Sequence, residues 1–384
     1  DHAVAARWAA IVRTLATACT LLITSACAQS LPDIAPGDTD QVVAEHDERG
    51  IWAEMEQAES ALLTSGALVA DETLQAYVRE VACRVASDYC GDIRVYVVER
   101  AGFNASMAPN GFMTVWTGLL LRVENEAQLA AVLGHEVAHY QRRHTLERWR
   151  STRAATSAVT FLSIAAAVGG YGGAGNLVQL ATQLALLSYS REQEREADSL
   201  GFERLVAASY DAEAAAAVWR NALAEQDAMD EDQAPPVLLS THPASDERLT
   251  NLAALADMRG GERFAGRFDA AVARHRNEWI AAEIGKGRYG ALDVVLQRLG
   301  DNGVASYWRG EMFRRSGETK KALAAYRMAV VSPEAPAVAH RGLGLTLWSL
   351  GRDSEALRAF TRYLVTAPQA KDTAMIRAYI KELK

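Results

Sequence analysis

Apolar residues in the first third of the chain change their spacing from one segment to the next, and each spacing predicts a different element. In 71–89 they recur every three or four positions, as on the buried face of a helix. In 93–100 they alternate with polar residues, which is typical of a half-buried strand. The apolar run 112–123 follows the turn sequence Ala-Pro-Asn-Gly and predicts further β-structure.

A longer helix is predicted over 124–149, where Asn125 followed by Gln128 resembles a capping box. Two apolar segments follow, 154–168 and 176–190, separated by a glycine-rich sequence. Neither reaches the ~20 apolar residues of a membrane-spanning helix. We expect a helical hairpin packed on the core; the alternatives are a mobile lid or a hairpin in peripheral contact with a membrane.

An internal repeat marks the last third of the chain. Residues at six positions have counterparts 34 residues later, and 34 residues is the period of tetratricopeptide repeats. The pairs are Gly310/Gly344, Phe313/Leu347, Gly317/Gly351, Ala322/Ala356, Tyr326/Phe360 and Ala329/Tyr363. Residues 267–299 resemble a degenerate earlier unit. Because stacked helix pairs form a concave surface, we expect a peptide or protein partner there.

The N-terminal residues resemble a signal peptide. Two arginines precede the apolar run 15–24, and the sequence Ala-Cys-Ala at 26–28 fits a signal peptidase site. Cleavage there would make 1–28 the signal peptide and 29–50 a polar leader or linker, and would place the protein in the periplasm. The alternative is an outer-membrane lipoprotein acylated at Cys27.

Composition adds three limits. The 384 residues are enough for two domains, which we place at 51–258 and 259–384. A net charge of −8 argues against nucleic acid as a partner. In an oxidising compartment the even pair Cys83 and Cys90 predicts a disulfide between a helix end and the turn before the next strand. The alternative is two reduced, buried thiols.

The sequence His135-Glu136-Val-Ala-His139 carries the candidate chemistry. With 3.6 residues per turn, His135 and His139 project from one face of the predicted helix and can hold one metal ion. Glu136 lies about 100° around the helix from His135, beside such an ion rather than on it. This is the arrangement of a zinc hydrolase whose glutamate is the general base.

A catalytic zinc site normally has three protein ligands, so a third is expected downstream. Glu194 and Asp198 lie four residues apart on one helical face. A glutamate completes a His₂Glu site, and an aspartate one turn away can accept a hydrogen bond from a ligand histidine. Spacing alone does not choose Glu194 over Glu192 or Glu196, and a solvated acidic face is the structural alternative.

The motifs His-Glu-Val-Ala-His and Glu-Arg-Glu-Ala-Asp resemble those of the zinc metallopeptidase family of HtpX and the type I CAAX prenyl proteases. The resemblance covers about 45–255 and is nearest to the periplasmic branch with tetratricopeptide repeats. It implies that His135, His139 and Glu194 bind one Zn²⁺ per chain. It further implies that Glu136 is the base and that Asp198 supports a ligand. The long spanning helices of HtpX are absent, which argues against cleavage of prenylated peptides.

Three further features are hypotheses about the site. His242 is the candidate oxyanion donor, or a switch ligand that fills the open metal position; a structural loop histidine is the alternative. Arg248 is a weaker candidate and would be unremarkable on a surface helix. His144 lies off the ligand face and is expected to pack or cap. The strand beginning at Phe112 is a candidate edge for an extended substrate, or else an internal strand.

The sequence therefore predicts an α+β, mostly helical protein. We expect a zincin (gluzincin-like) core with a small β-sheet, followed by tetratricopeptide-like helical repeats. The expected function is a zinc endopeptidase of the bacterial envelope that acts on unfolded or misassembled envelope proteins. The rival is a periplasmic binding or chaperone module whose zinc site is closed or structural.

Overall fold

The structure, a computed structural model, describes residues 31–38, 46–155, 188–230, 233, 236–243, 245–257, 259–300 and 302–384. The chain divides into two compact units, 1–33 and 34–384, and only residues 31–33 of the first are described. The predicted signal peptide and most of the predicted apolar hairpin lie outside the described residues.

A three-stranded mixed sheet lies near the start of this unit. Its strands are β1 (Arg94–Val98), β2 (Ala105–Met107) and β3 (Phe112–Trp116), in the order β1-β3-β2. β3 is parallel to β1 and antiparallel to β2. The hypothesis that β3 forms a free edge for substrate is therefore wrong, because it is the central strand and is paired on both sides. The edge strand next to the helix that carries the histidine motif is β2, which the sequence pattern did not predict.

Helix α1 (His46–Thr64) and helix α2 (Glu72–Val85) precede the sheet. α1 begins inside the segment expected to be a leader. α2 starts at Asp71, whose side chain accepts hydrogen bonds from the backbone N–H groups of Thr73 and Leu74. The predicted apolar face of α2 is buried against the sheet. Near its end Cys83 is bonded to Cys90 in the turn before β1, which confirms the predicted disulfide.

The second half of the apolar run 112–123 is helical, so its prediction as β-structure is half wrong. After Trp116 the chain forms the short helix α3 (Thr117–Arg122), every residue of which is buried. A short segment that is apolar on all sides has no periodicity to separate a buried helix from a strand.

Helix α4 (Glu126–Gln141) carries the histidine motif through the core. Asn125 accepts the backbone N–H of Gln128, as a helix cap should. In a capping box the Gln128 side chain would accept from the backbone N–H of Asn125. Here it accepts from the backbone N–H of Glu124, one residue earlier. The predicted helix is also interrupted, because Arg143 has φ 56° and a separate helix, α5 (His144–Ala155), begins after it.

Helix α6 (Arg191–Ala207) packs directly on α4. A Cβ at Gly201 would lie 2.9 Å from both the N and the Cα of His135, so the backbones meet without an intervening side chain. Three more helices complete this region: α7 (Glu213–Asp227), α8 (Val237–Thr241) and α9 (Asp246–Ala256). Both α7 and α9 pack with the α4–α6 pair.

The rest of the chain is helical. The helices are α10 (Ala265–Val272), α11 (Arg276–Ile284), α12 (Tyr289–Arg298), α13 (Gly303–Arg315), α14 (Thr319–Val331), α15 (Val338–Ser349), α16 (Asp353–Thr366) and α17 (Thr373–Glu382). Successive helices pack in pairs, and the main apolar core continues from the sheet as far as Ala339. A second, smaller core lies around α16.

Two glycine–aromatic contacts recur at the 34-residue offset. A Cβ at Gly310 on α13 would lie 2.7 Å from the ring of Tyr326 on α14. A Cβ at Gly344 on α15 would lie 2.5 Å from the ring of Phe360 on α16. The ring of each second helix therefore rests on the bare backbone of the helix before it. Among the described residues, no helix is long and apolar enough to cross a membrane.

Candidate metal centre

The motif histidines lie in the buried middle of α4, and their ring nitrogens converge. The Nε2 atoms of His135 and His139 are 3.0 Å apart. Glu194, on the first turn of α6, places its carboxylate oxygens 3.6 Å from His135 Nε2 and 3.5 Å from His139 Nε2. All three side chains are buried. The packing of α6 on α4 thus brings together the two histidines and the glutamate expected from the sequence.

The structure discriminates between the three glutamates of α6. Glu194 is buried among the imidazoles. Glu192 is exposed beside Arg195, and Glu196 is half exposed and contacts His144. Only Glu194 can supply an oxygen to the cluster.

His242 completes the cluster from the other side. It follows α8 as the C-cap residue and is buried. Its Nδ1 lies 3.2 Å from His135 Nε2 and 3.0 Å from a Glu194 oxygen, and its Nε2 lies 3.3 Å from Glu136. The imidazole therefore stands between the proposed ligands and the proposed base, which is where either predicted role would require it.

These four side chains fit a zinc ion. Each offers one ligand atom, and the four atoms lie within 4.8 Å of one another. Ligand atoms about 2.0–2.1 Å from zinc in a tetrahedral site are ~3.3 Å apart. Five of the separations between candidate ligand atoms, counting either oxygen of Glu194, run from 3.0 Å to 3.6 Å. Three nitrogens and one carboxylate oxygen are also ligands that zinc accepts readily.

The remote nitrogen of each motif histidine lies close to a polar side chain from outside the cluster. His135 Nδ1 lies 3.1 Å from Asp198 Oδ1, as expected for a carboxylate that fixes a ligand's tautomer. His139 Nδ1 lies 2.9 Å from His144 Nδ1, and His144 Nε2 lies 3.3 Å from Glu196. Each Nε2 is thereby left as the metal-facing atom. His144 does more than pack, because the turn after α4 brings its ring back against His139.

Arg248, the weaker candidate, is buried beside the cluster and is not the surface helix residue that was its alternative. Its Nε and Nη2 each lie 2.7 Å from an oxygen of Asp198, and its Nη1 lies 2.6 Å from Glu194. Its guanidinium also stacks 4.2 Å above the Trp219 ring. One planar cation thus holds both carboxylates of α6, so its role is to position the ligand shell.

Burial and charge oppose each other in the cluster. Burial raises the pKa of Glu136, although His242 and His135 favour its ionised form. Burial also opposes ionisation of Glu194, but His242 and His139 outweigh it and hold the Glu194 pKa far below its usual range. Burial lowers the pKa of His139 well below its ordinary value, which favours the neutral imidazole that a metal needs.

Tyr189 is a site residue that sequence reasoning missed. Its ring stacks on His139 at 3.8 Å between ring centroids, and its hydroxyl lies 3.0 Å from the Thr145 hydroxyl. The Arg148 guanidinium also lies over this ring, 4.1 Å from its centroid. No spacing rule relates a lone tyrosine before α6 to a histidine on α4, so the sequence carried no usable signal.

Comparison with known proteins agrees with this geometry. Residues 69–256 match the model of Peptidase family M48. They form a Peptidase family M48 domain. The match begins at residue 69, later than the expected 45, and ends at residue 256, next to the expected 255. It confirms the predicted kind of metallopeptidase family. It contains all four side chains of the metal cluster.

Three relatives show how far this likeness extends. The chain is 27% identical over 219 residues to a putative beta-barrel assembly-enhancing protease of Vibrio cholerae, covering 54% of this chain and 44% of the relative. It is 33% identical over 187 residues to the mitochondrial metalloendopeptidase OMA1 of Schizosaccharomyces pombe, covering 46% and 51%. It is 26% identical over 198 residues to the beta-barrel assembly-enhancing protease of Escherichia coli K12, covering 49% and 40%. The chain spans about half the length of the curated relatives it matches.

Proposed function

We propose that this protein is a zinc-dependent endopeptidase. The observation that carries the proposal is the convergence of His135, His139 and Glu194 at zinc-ligand spacing, with the Glu136 carboxylate beside them. A purely structural site has no use for that carboxylate. The M48 match and the relatives named as metalloendopeptidases support the same activity.

The chain's own residues divide the work of peptide hydrolysis. Zinc, when bound, lowers the pKa of a coordinated water and polarises a carbonyl. Glu136 accepts the proton of the attacking water and delivers it to the leaving amine. Asp198 and His144 keep His135 and His139 in the tautomers that face the metal. Arg248 holds Glu194 and Asp198 in register with the histidines.

The position of the His242 imidazole suits two roles. As a fourth ligand it would exclude water, since its ring lies between His135 Nε2 and Glu136. Displaced slightly, it could donate a hydrogen bond to the oxyanion. The present contacts favour the first role at rest. They are also the observation that favours the rival function, a binding module with a closed site.

We further propose that the substrates are unfolded or misassembled proteins of the bacterial periplasm. The signal-peptide pattern and the assembly-enhancing proteases among the relatives support this. The helices from α13 to α16 would be tetratricopeptide-like repeats that recruit a protein partner. The two recurring glycine–aromatic contacts at the 34-residue offset support that assignment.

Casein cleavage by zinc-loaded wild type, Glu136→Gln and His242→Ala tests the enzyme. We expect the wild type or His242→Ala to cleave, and Glu136→Gln to lose roughly 10³-fold or more while keeping one zinc per chain. Equal rates for wild type and Glu136→Gln would refute the assignment of the base. A complete lack of cleavage by zinc-loaded wild type and His242→Ala would favour the binding module.

A further inference from the structure

A cavity of about 160 Å³ lies between α1 and the sheet. Phe112, Thr114 and Trp116 of β3 line it, whereas Met113 and Val115 between them belong to the main core. Since side chains alternate along a strand, the cavity and the metal-binding helix lie on opposite faces of the sheet. α1 is held over it by Glu59, whose carboxylate is 2.6 Å from the Arg94 guanidinium.

The wall of the cavity is mostly apolar but includes several polar side chains, one of which has an unpaired buried acceptor. Met55, Ala58 and Leu62 of α1 face the aromatic residues of β3. Asn104 also lines the cavity and is only 2% exposed, yet its Oδ1 has no hydrogen-bond partner among the described residues. Buried acceptors in native proteins are nearly always paired, so an unpaired one inside a cavity indicates a missing donor.

The cavity adjoins a smaller space beside the metal centre. Met107 and Thr145 line both it and a smaller neighbouring space whose wall includes His139. Met107 ends β2, which in the described sheet is paired on one side only. An extended chain lying along the outer edge of β2 would therefore run from the metal past the mouth of the cavity.

We propose that this cavity is a substrate subsite for one tyrosine or tryptophan side chain, whose O–H or N–H donates to Asn104 Oδ1. The inference rests on the proposed endopeptidase function and adds its side-chain preference. An apolar cavity of about 150 Å³ accepts a benzene molecule, so the volume suits one aromatic ring. Tyrosine and tryptophan combine a large apolar ring with a donor for Asn104 Oδ1, whereas phenylalanine has no such donor.

Mapping of cleavage sites tests the subsite in the active enzyme. Unfolded casein is digested by wild type, or by His242→Ala if that variant is faster, and the products are sequenced by mass spectrometry. We expect tyrosine and tryptophan to be enriched roughly tenfold at one fixed position from the cut. Ala58→Trp fills the cavity and should abolish that enrichment. Ala53→Trp, on the exposed face of the same helix, should keep it.

A binding measurement separates this inference from the activity. By ligand-observed NMR, we expect 4-methylphenol to bind the zinc-loaded protein about three- to tenfold more tightly than toluene, which has the same ring without the donor. Asn104→Leu should remove that difference, and Ala58→Trp should block both ligands. Cleavage without an aromatic preference, or equal binding of the two ligands, would overturn the subsite while leaving the endopeptidase proposal intact. Absence of cleavage with the expected binding would overturn the endopeptidase alone.

Discussion

Replacement of Gly201 by alanine tests whether close contact between α4 and α6 builds the metal site. Gly201 lies two turns after Glu194 on the same face of α6. Its added Cβ would lie 2.9 Å from the N and Cα of His135 and 3.1 Å from the carbonyl carbon of Gly134. All three are backbone atoms, so no side chain can rotate away. The two helices must separate.

The size of the separation follows from ordinary packing distances. Carbon atoms in contact are about 3.5–4.0 Å apart, so α6 must move ~0.6–1 Å from α4. Zinc ligands must lie within about 0.2 Å of their ideal distances, and Glu194 moves with its helix. We expect zinc affinity to fall roughly 10–100-fold, as when a ligand's supporting contacts are lost. Overpacking should also lower the free energy of unfolding by about 1–3 kcal/mol.

Competition with a chelator of known zinc affinity measures the first effect, and urea unfolding of the metal-free protein measures the second. Gly266→Ala is the matched control, because an added Cβ there meets nothing within 4 Å and the position is exposed on α10. It should bind zinc as wild type does. If Gly201→Ala keeps wild-type zinc affinity and cleavage, the helix contact does not set the ligand geometry and the reasoning fails.

Three other changes probe separate parts of the site and fold. Arg248→Met should lower zinc affinity roughly 10–100-fold by leaving Asp198 and Glu194 without their shared cation, and unchanged affinity in the chelator assay would contradict its positioning role. His242→Ala should speed casein cleavage if the imidazole plugs the site, or slow it about 10²-fold if it donates to the oxyanion; an unchanged rate excludes both. Cys83→Ser should cost about 2 kcal/mol of unfolding free energy in urea, compared with wild type before and after reduction.

The parts of the site that lie within one helix could be predicted from the sequence. His135, Glu136 and His139 are related by helical spacing alone, and the structure places them as that spacing requires. The third candidate ligand could be narrowed to one of three glutamates, and the packing of α6 on α4 selects Glu194. His242 could be proposed because the turn before a proline presents its side chain, although no periodicity supported it.

The supporting residues could not be predicted, because each acts through space. Arg248 is 50 residues from Asp198, and Tyr189 is equally distant from His139 in sequence. The packing of α6 and α7 on α4, and of α9 on α6 and α7, brings them together. The fold shows the same limit. Amphipathic helices were recognisable from their spacing, whereas the buried helix α3 and the three-residue strand β2 carry too little pattern to be assigned.

The contacts of α8 link the proposed plug to the proposed substrate edge. The Leu238 N–H donates to the carbonyl of Phe103, one residue before the cavity residue Asn104, and the Tyr189 N–H donates to the carbonyl of Thr241. Each such bond is exchanged for one with water when α8 moves, at a net cost of about 0.5–1.5 kcal/mol. A substrate strand that extends past β2 to Phe103 would add a second donor to the carbonyl that anchors α8, and an acceptor shared by two donors holds each less strongly. We therefore expect binding along this edge to weaken the hold on His242, so that the site opens by as much as the substrate prefers the open form.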